Sequence, residues 1–178
     1  MIAEPHELLV QKQGFLKNED WWAVWLGLLI VALGAGQTAG IDLLGWVAKY
    51  NVWSDIGKAV VPNSQAFAFL GGFGSMVVTY IFLLAITSVG AYFMGSSIKK
   101  FVAGFTILYW VTTASNMAGN FAYLAATPNT LEKFGISWSL GLGELGFVIA
   151  LVLGLVIGNF FPKAAAFLST AAKPEWYI

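Results

Sequence analysis

The sequence predicts an all-α integral membrane protein of about four transmembrane helices, and three observations carry that prediction. The stretch Ser137 to Pro162 (SWSLGLGELGFVIALVLGLVIGNFFP) runs without a charge from Leu145 to Phe161. At ~1.5 Å per residue that run covers roughly 26 Å, close to the ~30 Å of bilayer hydrocarbon. The chain as a whole is 58% hydrophobic and 10% charged, with mean hydropathy +0.76, far from the roughly 25% charged residues of soluble domains. Trp21, Trp22 and Trp25 gather where the first apolar run begins, as indole rings do at headgroup level.

Taken in order, residues 1–20 form a polar N-terminus. Its acidic residues precede the apolar run and no small-residue cleavage site follows, so a signal peptide is not expected. Glu7 to Leu16 is weakly amphipathic and reads either as an interfacial segment or as a frayed terminus. Asn18 suits a helix N-cap, and Glu19 and Asp20 suit the positive end of the helix dipole. The membrane domain is placed at 21–162, with spans at about 21–40, 66–94, 101–126 and 137–161, followed by an interfacial tail at 163–178.

The first span carries Gly27, Gly34, Gly36 and Gly40, small enough for another helix to approach closely, and Gly36 and Gly40 are candidate packing positions. The loop from Ile41 to Gln65 is too long for a tight turn. Its Leu43, Leu44, Trp46, Val47, Trp53 and Ile56 predict one or two short helices lying on the membrane. The second span is longer than a bilayer requires and is expected to tilt. Gly95-Ser96-Ser97 and Lys99-Lys100 form the next turn.

In the third span Tyr109, Thr112, Asn116, Asn120 and Tyr123 recur at spacings of three and four and share one helical face. Amides within a span need hydrogen-bond partners that lipid does not offer. Thr112, Asn116 and Asn120 therefore either line a substrate or ion route or hold helices together. Glu144 is the one acid placed inside a predicted span. It is a candidate proton carrier or cation ligand, or else a headgroup-level residue at the start of the last helix. Gly154 and Gly158 form a small-xxx-small pair for helix packing, and Pro162-Lys163 ends the span.

Several function classes are excluded. Nine basic residues, all lysine, balance nine acids, which gives no electrostatic case for nucleic acid and no arginine cluster. There is no cysteine and a single histidine, His6, so no metal or other cofactor is expected. No phosphate loop, dinucleotide fingerprint, HExxH or GxSxG occurs, and an enzyme is not expected. Six lysines (12, 17, 99, 100, 163 and 173) against three (49, 58 and 133) place both termini in the cytoplasm and the long loop outside, for a multi-pass protein of the inner (plasma) membrane.

Three stretches carry a family resemblance. Lys17-Asn18-Glu19-Asp20-Trp21-Trp22-Ala23-Val24-Trp25-Leu26-Gly27 resembles the amino-terminal region of long members of the sulfate exporter family of the YeiH type. Val148 to Asn159 (VIALVLGLVIGN) is similar to that family's first core helix, and Lys173 to Ile178 (KPEWYI) to the segment after it. The resemblance implies the front part of an inverted-repeat anion transporter with broken helices at its centre. It assigns no substrate residues. The close-packing glycines, the polar stripe of the third span and the resemblance together predict a second membrane polypeptide carrying further helices, packed on the Gly154/Gly158 face. The alternative is a non-catalytic structural subunit of a larger membrane complex that moves no solute.

Overall fold

The computed structural model describes residues 19–171; the amphipathic segment Glu7 to Leu16, the Asn18 cap and the tail Lys173 to Ile178 lie outside the described residues. The protein is mostly helical. Helix α1 spans Glu19–Ala35 and runs into a 3-10 turn at Gly36–Ala39. A two-stranded hairpin follows, β1 (Ala48–Tyr50) and β2 (Val60–Pro62), then a 3-10 segment at Gln65–Leu70 that leads into α2 (Gly71–Phe93). Helix α3 is Ile98–Gly119, with short α4 (Ala122–Ala125) and α5 (Leu131–Phe134) after it. Helices α6 (Leu145–Phe160) and α7 (Pro162–Ala171) close the described chain.

Two segments are long and apolar enough to cross a membrane, Asp20–Ala39 and Gln65–Phe93. Leu145–Phe160 and Pro162–Ser169 make a third if counted as one span, but they meet at 116°, the geometry of a broken span or a re-entrant loop. Pro162 supplies the physical reason: it cannot donate to the preceding turn, so the helix restarts in a new direction. Helix α3, with 22 residues, reaches about 33 Å. Its lysines and hydroxyl and amide side chains make it less apolar than α2.

Burial is inverted relative to a soluble protein. The largest fully buried side chains among the described residues are Ser75 and Ser115, whereas Trp25, Leu28, Val31, Phe73, Phe147, Leu151 and Phe160 are exposed. Small residues inside let helix backbones meet, and large apolar ones outside suit hydrocarbon. Helix α1 meets α2 through Trp22, whose ring covers Gly90 and stacks on Phe93 at 5.5 Å between centroids. Helix α3 meets α7 where Ala171 fills the space over Gly104.

The loop between Ile41 and Gln65 is a hairpin, which corrects the expectation of helices lying on the membrane. Tyr50 pairs with Val60, Lys49 with Val61 and Ala48 with Pro62. Backbone bonds from Asn51 to Ala59, Asn63 to Val47 and Ser64 to Gly45, each 2.9 Å, extend the pairing beyond both strands. Val47, Tyr50, Val52, Val60 and Val61 are residues that favour a pleated surface, and Pro62 ends the second strand. Asp55 accepts from the Gly57 N–H and caps the 3-10 turn Ile56–Lys58 at the hairpin's tip.

The last helix also differs from the expected 137–161 span. Residues 138–142 form an irregular, non-helical segment beside α4, with the Leu140 N–H bonded to Tyr123 O and the Leu142 N–H to Leu124 O. Ser139 Oγ donates to Ala122 O at 2.9 Å. Gly141 lies in the left-handed region at φ +65, and helix starts only at Leu145.

Candidate functional site

The polar face of α3 becomes a seam with the hairpin on one side and α6 on the other. The hairpin lies along the helices rather than across their ends. Its Ala48 N–H donates to Thr79 Oγ1 at 2.9 Å, and Thr79 stands eight residues into α2, about 12 Å along its axis. The Tyr50 and Thr113 hydroxyls meet at 3.1 Å, and Trp53 Nε1 donates to Met117 O at 2.7 Å. Val60 O rests on Gly72, where any side chain would collide with it. Ala59, Val60 and Met76 form a buried cluster with Trp53, Trp110 and Met117 packed against it.

This contact explains why α3 stops. Asn120 and Phe121 leave helical geometry and pair with Trp53, whose N–H donates to Asn120 O at 3.1 Å and whose carbonyl accepts from Ala122 at 2.8 Å. Helical hydrogen bonds are exchanged for sheet-like ones. Among the described residues no buried side-chain nitrogen or oxygen lacks a hydrogen-bond partner.

Within the seam, Tyr109 donates to Met76 O at 2.7 Å and so ties α3 to α2. Asn116 Nδ2 donates to Thr112 O at 3.0 Å and Asn120 Nδ2 to Asn116 O at 2.9 Å. Both amides thus return to carbonyls of their own helix, while the Thr112 side chain is exposed. The α6 contact is made by backbone. A Cβ on Gly146 would lie 2.9 Å from Asn116 Oδ1 and 3.2 Å from Ser115 O, and one on Gly119 would strike the Gly146 backbone. Gly119, Gly146, Ser115 and Asn116 form this crossing.

The other sequence candidates stand apart from the seam. Glu144 is exposed and precedes α6 in left-handed geometry (φ 61, ψ 18), with no side-chain bond to the helix start. It stands in a turn just before the helix, because the segment leading into α6 is not helical. Gly40 closes the 3-10 turn after α1 at φ +76, and Gly36 packs against Leu43 of the next segment rather than against another helix. A methyl group added at Gly154 or Gly158 would meet nothing within 4 Å among the described residues.

The sequence reading missed a cleft of about 620 Å³ between the hairpin tip and the α4–α5 segment. Asn51, Trp53, Asp55, Lys58, Lys133 and Phe134 are among its walls. Its two lysines lie 75 positions apart and entered the reading only as topology markers. Among the described residues no group of three histidine, cysteine, aspartate or glutamate side chains could hold a metal ion.

Comparison with known proteins agrees with a membrane location. Over 168 residues, 93% of its length, the chain is 40% identical to the UPF0324 membrane protein NE0724 of Nitrosomonas europaea. The chain is homologous to a membrane protein. It spans 34% of that relative's length. The relative's name states a membrane protein and no transported solute. No family model matches the sequence, and no solved structure matches it.

Proposed function

We propose that this chain is a multi-pass building part of an anion exporter in the inner membrane, without catalysis of its own, which joins further membrane helices to complete the transporter. The observation that carries the reading is the outer surface of α6. Phe147, Leu151 and Leu155 are exposed there, and Gly154 and Gly158 are open to close approach. Glycines add nothing to a lipid-facing surface but allow two backbones to meet. The bent α6–α7 pair supports it as well, since broken helices at a transporter's centre place backbone groups beside the transported ion. The Nitrosomonas relative is a membrane protein of which this chain matches 34%, which agrees with a larger whole.

A second reading is favoured by the seam itself. Tyr50, Trp53, Tyr109, Asn116 and Asn120 all have protein partners, as expected of a subunit that scaffolds a complex and moves no solute. One experiment separates the two. Cells carrying Gly158→Cys are treated with a membrane-permeant maleimide–benzophenone and illuminated, so that the single thiol is joined to whatever chain lies against it; the complex is purified in mild detergent for native mass measurement, and efflux of sulfate and of organic anions is measured from vesicles of the same cells. Efflux together with a cross-link to a second, helical membrane chain supports the exporter part. Cross-linking without efflux leaves the scaffold. A monomer or a pure homo-oligomer overturns the split-transporter reading.

A further inference from the structure

The cleft between the hairpin tip and α5 has the chemistry of a ligand site, and its walls define the ligand's class. Lys58 ends the 3-10 turn Ile56–Lys58 and Lys133 lies on α5, so two ammonium groups from distant parts of the chain border one cavity. Neither forms a salt bridge among the described residues. The cleft's single carboxylate, Asp55, accepts the Gly57 N–H at 3.0 Å and holds the turn that carries Lys58. The balance of charge among the cleft's lining residues is therefore positive, and the fold fixes the backbone positions that carry both lysines.

The other wall is aromatic. Trp53 cannot turn away, because its Nε1 is bonded to Met117 O at 2.7 Å and its ring packs on Phe121 at 5.0 Å between centroids. Phe134 faces the cleft beside Lys133, whose Nζ is 5.8 Å from the ring centroid. Asn51 adds an amide to the wall. A volume of about 620 Å³ is that of a site for an organic molecule, typically ~300–1,000 Å³. It far exceeds what a bare tetrahedral oxyanion fills, and such an ion would keep most of its water there.

We infer that this cleft binds an organic anion, a carboxylate or sulfonate with a flat apolar body, its charge between Lys58 and Lys133 and its body against Trp53 and Phe134. The inference deepens the anion-exporter reading by naming an anion class. Binding is measured without transport, so its failure leaves the cross-linking experiment above untouched.

The test is calorimetric titration of the full chain in lipid nanodiscs with benzenesulfonate, inorganic sulfate and benzyl alcohol. Saturable one-to-one binding of benzenesulfonate is expected, with sulfate and benzyl alcohol each at least tenfold weaker. Lys58→Gln and Lys133→Gln should each weaken benzenesulfonate about tenfold, the scale of one lost charge-assisted hydrogen bond. Lys49→Gln, on β1 and outside the cleft, should leave it unchanged. Both cleft lysines are exposed, so these variants keep the fold, which circular dichroism verifies. Absence of saturable benzenesulfonate binding, equal binding by sulfate, or a folded double-lysine variant that binds like the parent would overturn the inference.

Discussion

Replacing Gly119 by alanine adds one methyl group at the α3–α6 crossing, and the structure gives it no room. The new Cβ would stand 2.5 Å from Gly146 Cα and 2.9 Å from Leu145 C, where ordinary contacts between carbons are ~3.5–4.0 Å. The obstructing atoms are backbone, so no side-chain rotation relieves the overlap, and the two helices must separate by about 1 Å. Overpacking of this kind costs about 1–3 kcal/mol. Gly119 is the last residue of α3, so alanine's better helix propensity returns little. The net expectation is a loss of about 2 kcal/mol, or about 4–8 °C in Tm for a chain of this length.

Gly154→Ala is the matched control. Nothing lies within 4 Å of its added methyl, and it sits inside α6, where alanine gains about 0.5–1 kcal/mol over glycine. The two substitutions, chemically identical, should shift the melting temperature in opposite directions. Far-UV circular dichroism of the purified chain in mild detergent measures both. Equal shifts of one sign, or an unchanged Gly119→Ala protein, would refute the crossing as described.

Three further outcomes follow from the geometry. Glu144→Gly should raise stability by about 1 kcal/mol because glycine accepts the left-handed backbone at φ 61, and Glu144→Ala should not; thermal melts of both variants check this. Asn116→Ala and Asn120→Ala remove amides bonded only to their own helix and add no volume at the α3–α6 crossing, so each should cost less than about 1 kcal/mol. A larger drop in Tm contradicts that geometry, while loss of sulfate efflux at unchanged Tm would assign the stripe to the route. The chain has no cysteine, so Ser96→Cys and Lys133→Cys report topology without background. An impermeant maleimide applied outside intact spheroplasts should label position 133 and leave 96 unlabelled, and the reverse pattern would refute the lysine-based orientation.

What was legible in the sequence is what depends on local composition. The apolar runs of α1 and α2 can be read directly, because a span's length and hydrophobicity belong to the segment itself. Structure that depends on a distant partner was harder to read. Val47 to Val52 and Ala59 to Pro62 do carry a strand signal, but next to Leu43, Leu44 and Trp46 it reads equally as an interfacial helix. Only docking against Thr79, Thr113 and Met117 decides between them. The break in α3 at Asn120 has the same origin, since Trp53, 67 positions earlier, takes the backbone bonds that a further turn would have used.

The glycines show most sharply where a sequence stops being informative. Gly119, Gly146, Gly154 and Gly158 are one residue type in similar apolar surroundings, and of the four only the last two form a Gly-xxx-Gly pair. Yet it is Gly119 and Gly146 that meet, while the marked pair stays open among the described residues. Spacing on one helix specifies a surface that another helix can approach closely, and leaves open which helix does so. The glycines already filled by contacts within the chain hold its own fold together. Those that remain open are the positions where a partner can be sought, which is why Gly158 is the position chosen for cross-linking and Gly119 the one chosen for stability.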